Sequence, residues 1–140
     1  MTREEYFEEK KLAEELGFKL NMFRSVPYEE ARDICNGMGP ACFPDAIIKV
    51  LNKLHPSLKI VFDNHDMCFF YGSGSGKDFK ECNDAIVTNG ELVAKHKYKW
   101  YHPYRYKVMW DARKAAAVCQ ALGWPAYAAA INQRKSRANA

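Results

Sequence analysis

The chain has 140 residues, of which 48% are hydrophobic and 14% aromatic, a composition typical of one folded domain rather than a disordered chain. It contains no apolar run of about eighteen residues, so a membrane-spanning helix is excluded. Residues 1–90 carry 11 basic and 15 acidic side chains, a balance of −4, whereas residues 91–140 carry 10 and 2, a balance of +8, which predicts an anionic partner for the second segment.

The first part of the chain predicts two helices followed by a loop. Residues 2–17 have the pattern of an amphipathic surface helix, and a second, short helix is expected over Tyr28 to Ile34. The stretch CNGMGPACFP, Cys35 to Pro44, then predicts a tight non-helical loop because of its two glycines, its Asn and its prolines. Such a loop is either a plain turn or a site that binds anions through N–H groups or cations through carbonyls.

The next stretch, FDNHDMCFFYG, places His65 and Asp66 side by side within an apolar run. After a helix over residues 44–54, the spacing predicts a second helix from about Ser57 to Tyr71. His65 falls in the middle of its core-facing stripe and Asp66 at the edge of that stripe. Burying either side chain costs free energy unless it has a partner, so the pair indicates either a core histidine with an ordinary hydrogen bond or a functional site.

A helix over residues 78–90, ended by Gly90, should return antiparallel to the His65 helix because the connection between them is short. Cys68 and Cys82 then lie at comparable distances from the turn, where they can touch, or form a disulfide if the redox environment allows. By the same argument Asn83 lies near His65. The inner face of this helix is marked by Phe79, Cys82, Asn83 and Ile86.

Lys and Arg alternate with Tyr and Trp over residues 91–107, where Pro103 interrupts any single helix. Such side chains stack on bases, sit at a bilayer interface, or serve as half-buried core residues. Residues 104–122 predict a helix, and residues 132–140 a frayed basic tail. The inward positions of the 104–122 helix are expected to be Val108, Ala112, Ala115, Cys119 and Leu122.

Three motifs in order resemble the calcium-dependent phospholipase A2 family, and more closely the compact phospholipase A2-like domains of some viral and bacterial proteins. CNGMGP resembles the calcium loop, HDMCF the His-Asp-x-Cys-Tyr signature, and the pair Cys82–Asn83 the Cys-Asp pair of the second long helix. The shared region covers residues 28–90, with weaker similarity to about residue 127. The resemblance implies an all-α fold in which two antiparallel helices carry the His-Asp site and other helices flank them.

The resemblance also implies roles for individual residues. His65 would be the general base that takes a proton from an attacking water, and Asp66 would bind calcium through its carboxylate. The backbone carbonyls of Cys35, Gly37 and Gly39 would complete most of the calcium shell, since calcium is a hard cation that takes oxygen ligands. The implied reaction is cleavage of the sn-2 acyl ester of a glycerophospholipid at an anionic membrane surface.

The chain departs from the family pattern at two positions near the histidine. Asn83 stands where the family has the aspartate that orients the histidine, and Asp84 follows it, rotated about 100° round the helix. Phe69 stands in place of the usual tyrosine. The candidate catalytic residues are therefore His65, Asn83 and Asp84.

Two other functions are compatible with the sequence. Asn83 is the feature that favours a protein of this fold without catalysis, which would bind membranes or a partner. The basic aromatic segment is compatible with a helical nucleic-acid-binding domain, although no standard motif of that class is present. A zinc site formed by His65, Asp66 and a cysteine has no recognised spacing. The charged N-terminus does not resemble a signal peptide, so we expect a cytoplasmic or virion-associated protein, or one exported by another route.

Overall fold

The computed structural model describes residues 1–37 and 45–139, and over these residues the chain forms seven α-helices and no strand, as the all-α prediction requires. The helices are α1 (Arg3–Leu16), α2 (Tyr28–Gly37), α3 (Asp45–Asn52), α4 (Lys59–Phe70), α5 (Gly76–Lys97), α6 (Pro103–Leu122) and α7 (Trp124–Ala138). Short 3-10 turns lie at Met22–Arg24 and Pro56–Leu58. None of the described helices combines the length and the apolar character needed to cross a bilayer.

Helix α1 is capped by local contacts at both ends. The Thr2 hydroxyl accepts a hydrogen bond from the backbone N–H of Glu5 at 3.1 Å and so satisfies one free donor of the first turn. Gly17 ends the helix with a φ of +68°, a left-handed conformation that glycine adopts without a steric penalty. The backbone N–H of Phe18 then bonds back to the carbonyl of Ala13 at 3.1 Å.

Helix α4 lies at the centre of the molecule, where it packs against α2, α5 and α7. Side chains on nearly every side of α4 are buried, which is the pattern of a helix surrounded by other helices. Its buried residues are Ile60, Val61, Asp63, Asn64, His65, Met67, Cys68, Phe69 and Phe70. Three of these, Asp63, Asn64 and His65, are polar, so the centre of the fold also holds the groups whose partners decide the chemistry.

Helix α5 is longer than the prediction of residues 78–90, because it begins at Gly76 with Ser75 as its cap and continues to Lys97. The prediction that Gly90 ends this helix is wrong. Gly90 is buried inside α5, and a Cβ added there would overlap with the Cβ of Ala112 on α6. The glycine therefore permits the close approach of α5 and α6 instead of a change of backbone direction.

We expect Gly90→Ala to lower the free energy of unfolding by about 1–3 kcal/mol, the usual cost of overpacking. The roughly 1 kcal/mol by which alanine is the better helix former opposes this loss but does not cancel it. Gly76→Ala is the matched control, since a Cβ there meets no atom within 4 Å. Urea unfolding of both variants tests this, and equal stability of the two would show that α5 and α6 are not in close contact. Adding Ala112→Gly to Gly90→Ala should restore stability.

The predicted non-helical loop begins later than expected, because Cys35 and Gly37 belong to the last turn of α2. Buried Ile34 and half-buried Cys35 continue the inward side of this helix, and the Cys35 thiol donates to the backbone carbonyl of Asp63 at 3.6 Å. Gly37 thus stands at the end of a helix, a usual place for glycine. Residues 38–44, including Gly39, lie outside the described residues.

The C-terminal prediction is wrong in two details. The segment predicted as a frayed tail is helical to Ala138, because Arg134 donates to the carbonyl of Gly72 at 3.0 Å and the Arg137 guanidinium lies 5.3 Å from the centre of the Phe70 ring. Leu122, expected to face inward, is 42% exposed at the last position of α6. The other four predicted inward positions of α6 are buried.

Candidate functional site

The core of the candidate site is a hydrogen-bonded row of three side chains from α4, α5 and α6. His65 is 3% exposed, and its Nε2 lies 2.9 Å from Oδ1 of Asn83. The Asn83 amide nitrogen in turn donates to Oε1 of Gln120 at 2.8 Å. Because Gln120 accepts a hydrogen bond from the amide N–H of Asn83, the amide oxygen of Asn83 faces the imidazole and accepts a hydrogen bond from its Nε2–H. The neutral ring then carries its proton on Nε2 and leaves Nδ1 unprotonated.

Apolar surroundings keep this imidazole uncharged. The ring centres of Phe69 and His65 lie 4.1 Å apart. The Phe69 ring centre also lies 5.7 Å from that of Phe79 and 5.1 Å from that of Tyr127. Burial lowers the pKa of His65 from 6.5 to about 4, and the hydrogen bond to Asn83 only partly opposes this shift. At neutral pH His65 is therefore a neutral base.

This lowered pKa predicts a pH-dependent contribution to stability. Between pH 6.5 and 4 the unfolded chain binds a proton at His65 that the folded chain does not, so the free energy of unfolding falls as the pH falls through this window. At 1.36 kcal/mol per pKa unit the loss is about 3 kcal/mol. Chemical unfolding of wild type and His65→Gln in chelator should give curves whose difference changes over this window. Parallel curves would show that His65 titrates normally.

The disulfide between Cys68 and Cys82 joins α4 and α5 beside the His65–Asn83 contact, with a Cα–Cα distance of 5.8 Å. Together with the Phe69–Phe79 contact, these pairs show that α5 returns antiparallel to α4, as predicted. The cross-link therefore holds the two helices in the register that brings Asn83 to His65.

Asp66 belongs to a second group of side chains on the neighbouring side of α4. The Cys35 thiol and the carboxylates of Asp63 and Asp66 offer atoms that all lie within 4.8 Å of one another. Asp63 is buried and accepts a hydrogen bond from Nζ of Lys59 at 2.7 Å. Burial raises the pKa of Asp66 well above its usual value, and the negative charge of Asp63 raises it further.

Glu9 of α1 extends this group from the far side of Lys59, whose Nζ donates to it at 3.1 Å. Burial raises the pKa of Glu9 to about 8, with a further contribution from the hydrogen bond and the charge of Asp63. With a pKa of about 8, the Glu9 carboxyl is largely protonated at neutral pH. This arrangement leaves Lys59 to balance the remaining charge.

Whether calcium fits here depends on the donor atoms. The half-buried Asp66 carboxyl, whose pKa is raised, regains its charged form when a cation binds, and its oxygens suit a hard ion. The carbonyls of Cys35 and Gly37 belong to the last helical turn of α2, whose carbonyls lack partners within the helix. Burial raises the pKa of the Cys35 thiol, and a protonated thiol is a poor ligand for zinc. The donors of this group therefore fit calcium better than zinc, and among the described residues His65 is not one of the grouped ligands.

The structure thus places the predicted site residues in two neighbouring groups and leaves Asp84 outside both. It brings His65 to Asn83, and it places Asp66 beside Cys35, with Gly37 at the end of the same helix as Cys35. Asp84 does not join them, because its carboxylate pairs with Nζ of Lys80 at 2.7 Å and is 48% exposed.

Four residues of the site were not predicted from the sequence: Gln120, Asp63, Lys59 and Glu9. The spacing of Lys59, Asp63 and Asp66, four and then three residues apart, could have indicated that all three share one side of α4. Gln120 and Glu9 have no such local signal, since each reaches the site from a different helix.

Comparison of this chain with protein-family models, with curated proteins and with solved structures found no match. The resemblance to phospholipase A2 therefore depends on the three sequence motifs and on the chemistry of the residues described above.

Proposed function

We propose that this protein is a calcium-dependent phospholipase A2-like hydrolase that cleaves the sn-2 acyl ester of glycerophospholipids. The observation that carries the proposal is the buried, neutral His65, whose Nε2–H is held by Asn83 and whose Nδ1 is left as a base. Asp66, the next residue along α4, supplies an oxygen ligand beside it.

In this reaction Nδ1 of His65 takes a proton from the water that attacks the ester. The Asn83 oxygen keeps the ring in the tautomer that makes this possible, and Gln120 keeps the Asn83 amide in the orientation that presents its oxygen. A neutral amide stabilises the resulting imidazolium less than a carboxylate would, so the base is correctly oriented but weak.

Asp66 and the backbone carbonyls of Cys35, Gly37 and Gly39 are the residues that would hold the cation. Bound calcium would supply positive charge to the substrate phosphate and to the developing charge on the ester oxygen. Because Asp66 is adjacent to His65 in α4, the metal ligand and the base keep a fixed relative position.

The test is release of an sn-2-labelled fatty acid from phospholipid vesicles as a function of calcium concentration. Wild type should release the label with calcium and not with chelator. Asp66→Asn should raise the calcium requirement by at least the roughly 10- to 100-fold that loss of an outer-shell partner costs. Asp84→Asn is the control, because Asp84 is paired with Lys80 away from the site. Release that is insensitive to chelator would contradict the proposal.

A second candidate function is a calcium-dependent binding module without catalysis. The observations that favour it are the amide of Asn83 in place of a carboxylate and the low pKa of His65, which makes a weak base. Calcium binding by a folded protein that releases no fatty acid would select this alternative.

A further inference from the structure

The largest exposed aromatic surface of the described residues lies at the corner between α5 and α6. We call it the corner patch: Trp100 (72% exposed), Tyr101 (62%), Tyr104 (54%), Tyr106 (56%) and Trp110 (66%). Among residues 1–37 and 45–139, every other exposed large hydrophobic side chain is less than half exposed, with Phe7 next at 49%. The most exposed aromatic side chains therefore come from a stretch of eleven residues, too concentrated to be scattered surface positions.

Direct contacts link the side chains of the turn to those of α6 within the corner patch. Trp100 and Tyr101 lie in the turn between the helices, with ring centres 5.6 Å apart. The Tyr106 hydroxyl donates to the carbonyl of Trp100 at 2.7 Å, which ties the turn to α6. Trp110 lies one helical turn beyond Tyr106, so both point to the same outward side.

The surroundings of the corner patch are strongly cationic. Residues 95–114 contain seven lysines and arginines and one acidic residue, a net charge of +6. The acid is Asp111, which is 3% exposed and accepts a hydrogen bond from Nζ of Lys107 at 2.6 Å. Lys99 and Lys114 are exposed; Lys99 is next to Trp100 in the chain, and Lys114 follows Trp110 by one turn of α6. The segment therefore presents positive charge without an exposed carboxylate.

We infer that the corner patch docks on an anionic lipid bilayer. Trp and Tyr favour the region between head groups and acyl chains, and lysines beside them attract anionic lipids. Exposed aromatic side chains at a helix corner can enter that region, whereas single-stranded nucleic acid is held in a groove. The depressions along α1, at the α4–α5 connection and near the end of α7 are lined by other residues than those of the patch.

This docking surface is separate from the residues that would perform hydrolysis. From Asn83 to Lys97 the chain rises through α5 by about 21 Å, at 1.5 Å per residue. Helix α6 runs back from the corner and ends beside Trp124, which is 45% exposed. The ring centres of Trp124 and Phe79 lie 5.2 Å apart. Phe79 contacts Phe69, which packs on His65. A bilayer that meets the corner and the outer side of α6 therefore extends toward the end of the molecule that holds the base.

The inference rests on the proposed function only because hydrolysis gives membrane docking a purpose. Its test therefore measures binding under conditions that exclude hydrolysis. Co-sedimentation with vesicles of ether-linked phosphatidylcholine and phosphatidylglycerol, in chelator, measures binding alone. We expect the double variant Trp100→Ala, Trp110→Ala to partition at least about tenfold less than wild type, because it removes the two side chains best suited to the interface. Phe7→Ala changes the next most exposed aromatic of the described residues, on α1, and should bind like wild type.

Charge-reversal variants keep the inference testable if the tryptophan variant misfolds. Lys99→Glu with Lys114→Glu should weaken binding to anionic vesicles, whereas Lys11→Glu with Lys49→Glu, which changes the net charge equally elsewhere, should weaken it much less. Equal effects of the two charge pairs, or wild-type binding by the tryptophan variant, would overturn the inference. A single-stranded oligonucleotide that displaces the protein from vesicles at lower concentration than lipid would also overturn it. If wild type binds these vesicles but releases no fatty acid from cleavable lipid in the separate assay, the proposed function is contradicted and the docking inference is not.

Discussion

His65→Gln is expected to lower fatty-acid release by roughly 100- to 10,000-fold, the usual contribution of a positioned general base. The imidazole is 3% exposed and its Nδ1 is the unprotonated nitrogen, so its loss removes the base from the site. Glutamine retains an amide that can bond to Asn83 across the same gap but cannot take a proton from water. The rate of release from vesicles at saturating calcium measures the effect.

Two controls separate lost chemistry from lost structure. His96→Gln changes an exposed histidine near the end of α5 and should leave release unchanged. Calcium affinity and thermal unfolding of His65→Gln above pH 7 should stay close to those of wild type. A variant that binds calcium normally and still releases fatty acid at the wild-type rate would show that His65 is not the base.

Asn83→Asp is expected to raise the pKa of His65 by about 1–3 units and to increase hydrolysis near neutral pH. A carboxylate 2.9 Å from Nε2 favours the imidazolium that forms in the reaction, whereas the natural amide offers only a dipole. Gln120 can keep its contact by presenting its own amide nitrogen to the new carboxylate. NMR titration of His65 and the pH dependence of release measure the two effects.

The matched control for this change is Asn132→Asp, which adds the same charge at an exposed position of α7. It should leave both the pKa of His65 and the release rate unchanged. If Asn83→Asp raises the pKa of His65 but does not increase release, the proton-transfer role of the imidazole is wrong and the binding module becomes the better account.

The parts of the site that follow from short-range patterns could be predicted. Helical periodicity placed His65 and Asn83 on facing sides of two antiparallel helices, and the structure confirms this contact together with the Cys68–Cys82 disulfide. The same periodicity rotated Asp84 about 100° from Asn83, yet Asp84 was also predicted to be catalytic, and the structure pairs it with Lys80 and not with His65. For the confirmed contacts, spacing along each helix was sufficient.

The features that were missed depend on contacts between distant parts of the chain. The sequence pattern at Gly90 is that of a helix end. Only the position of Ala112 on α6 shows that Gly90 permits the two helices to pack closely. Glu9 reads as one of many surface acids of α1, and its burial beside Asp63 depends on how α1 lies on α4. The helical C-terminal segment likewise depends on the contact of Arg134 with Gly72.

The orientation of the His65 ring is the claim on which the proposed chemistry depends, and nitrogen NMR of the labelled imidazole tests it most directly. We expect the spectrum of a neutral ring with the proton on Nε2, unchanged from pH 7 down to near the pKa of about 4. Asn83→Leu should abolish the preference for this tautomer. A proton on Nδ1, or protonation of the ring near pH 6.5, would contradict both the buried Asn83 contact and the role of His65 as the base.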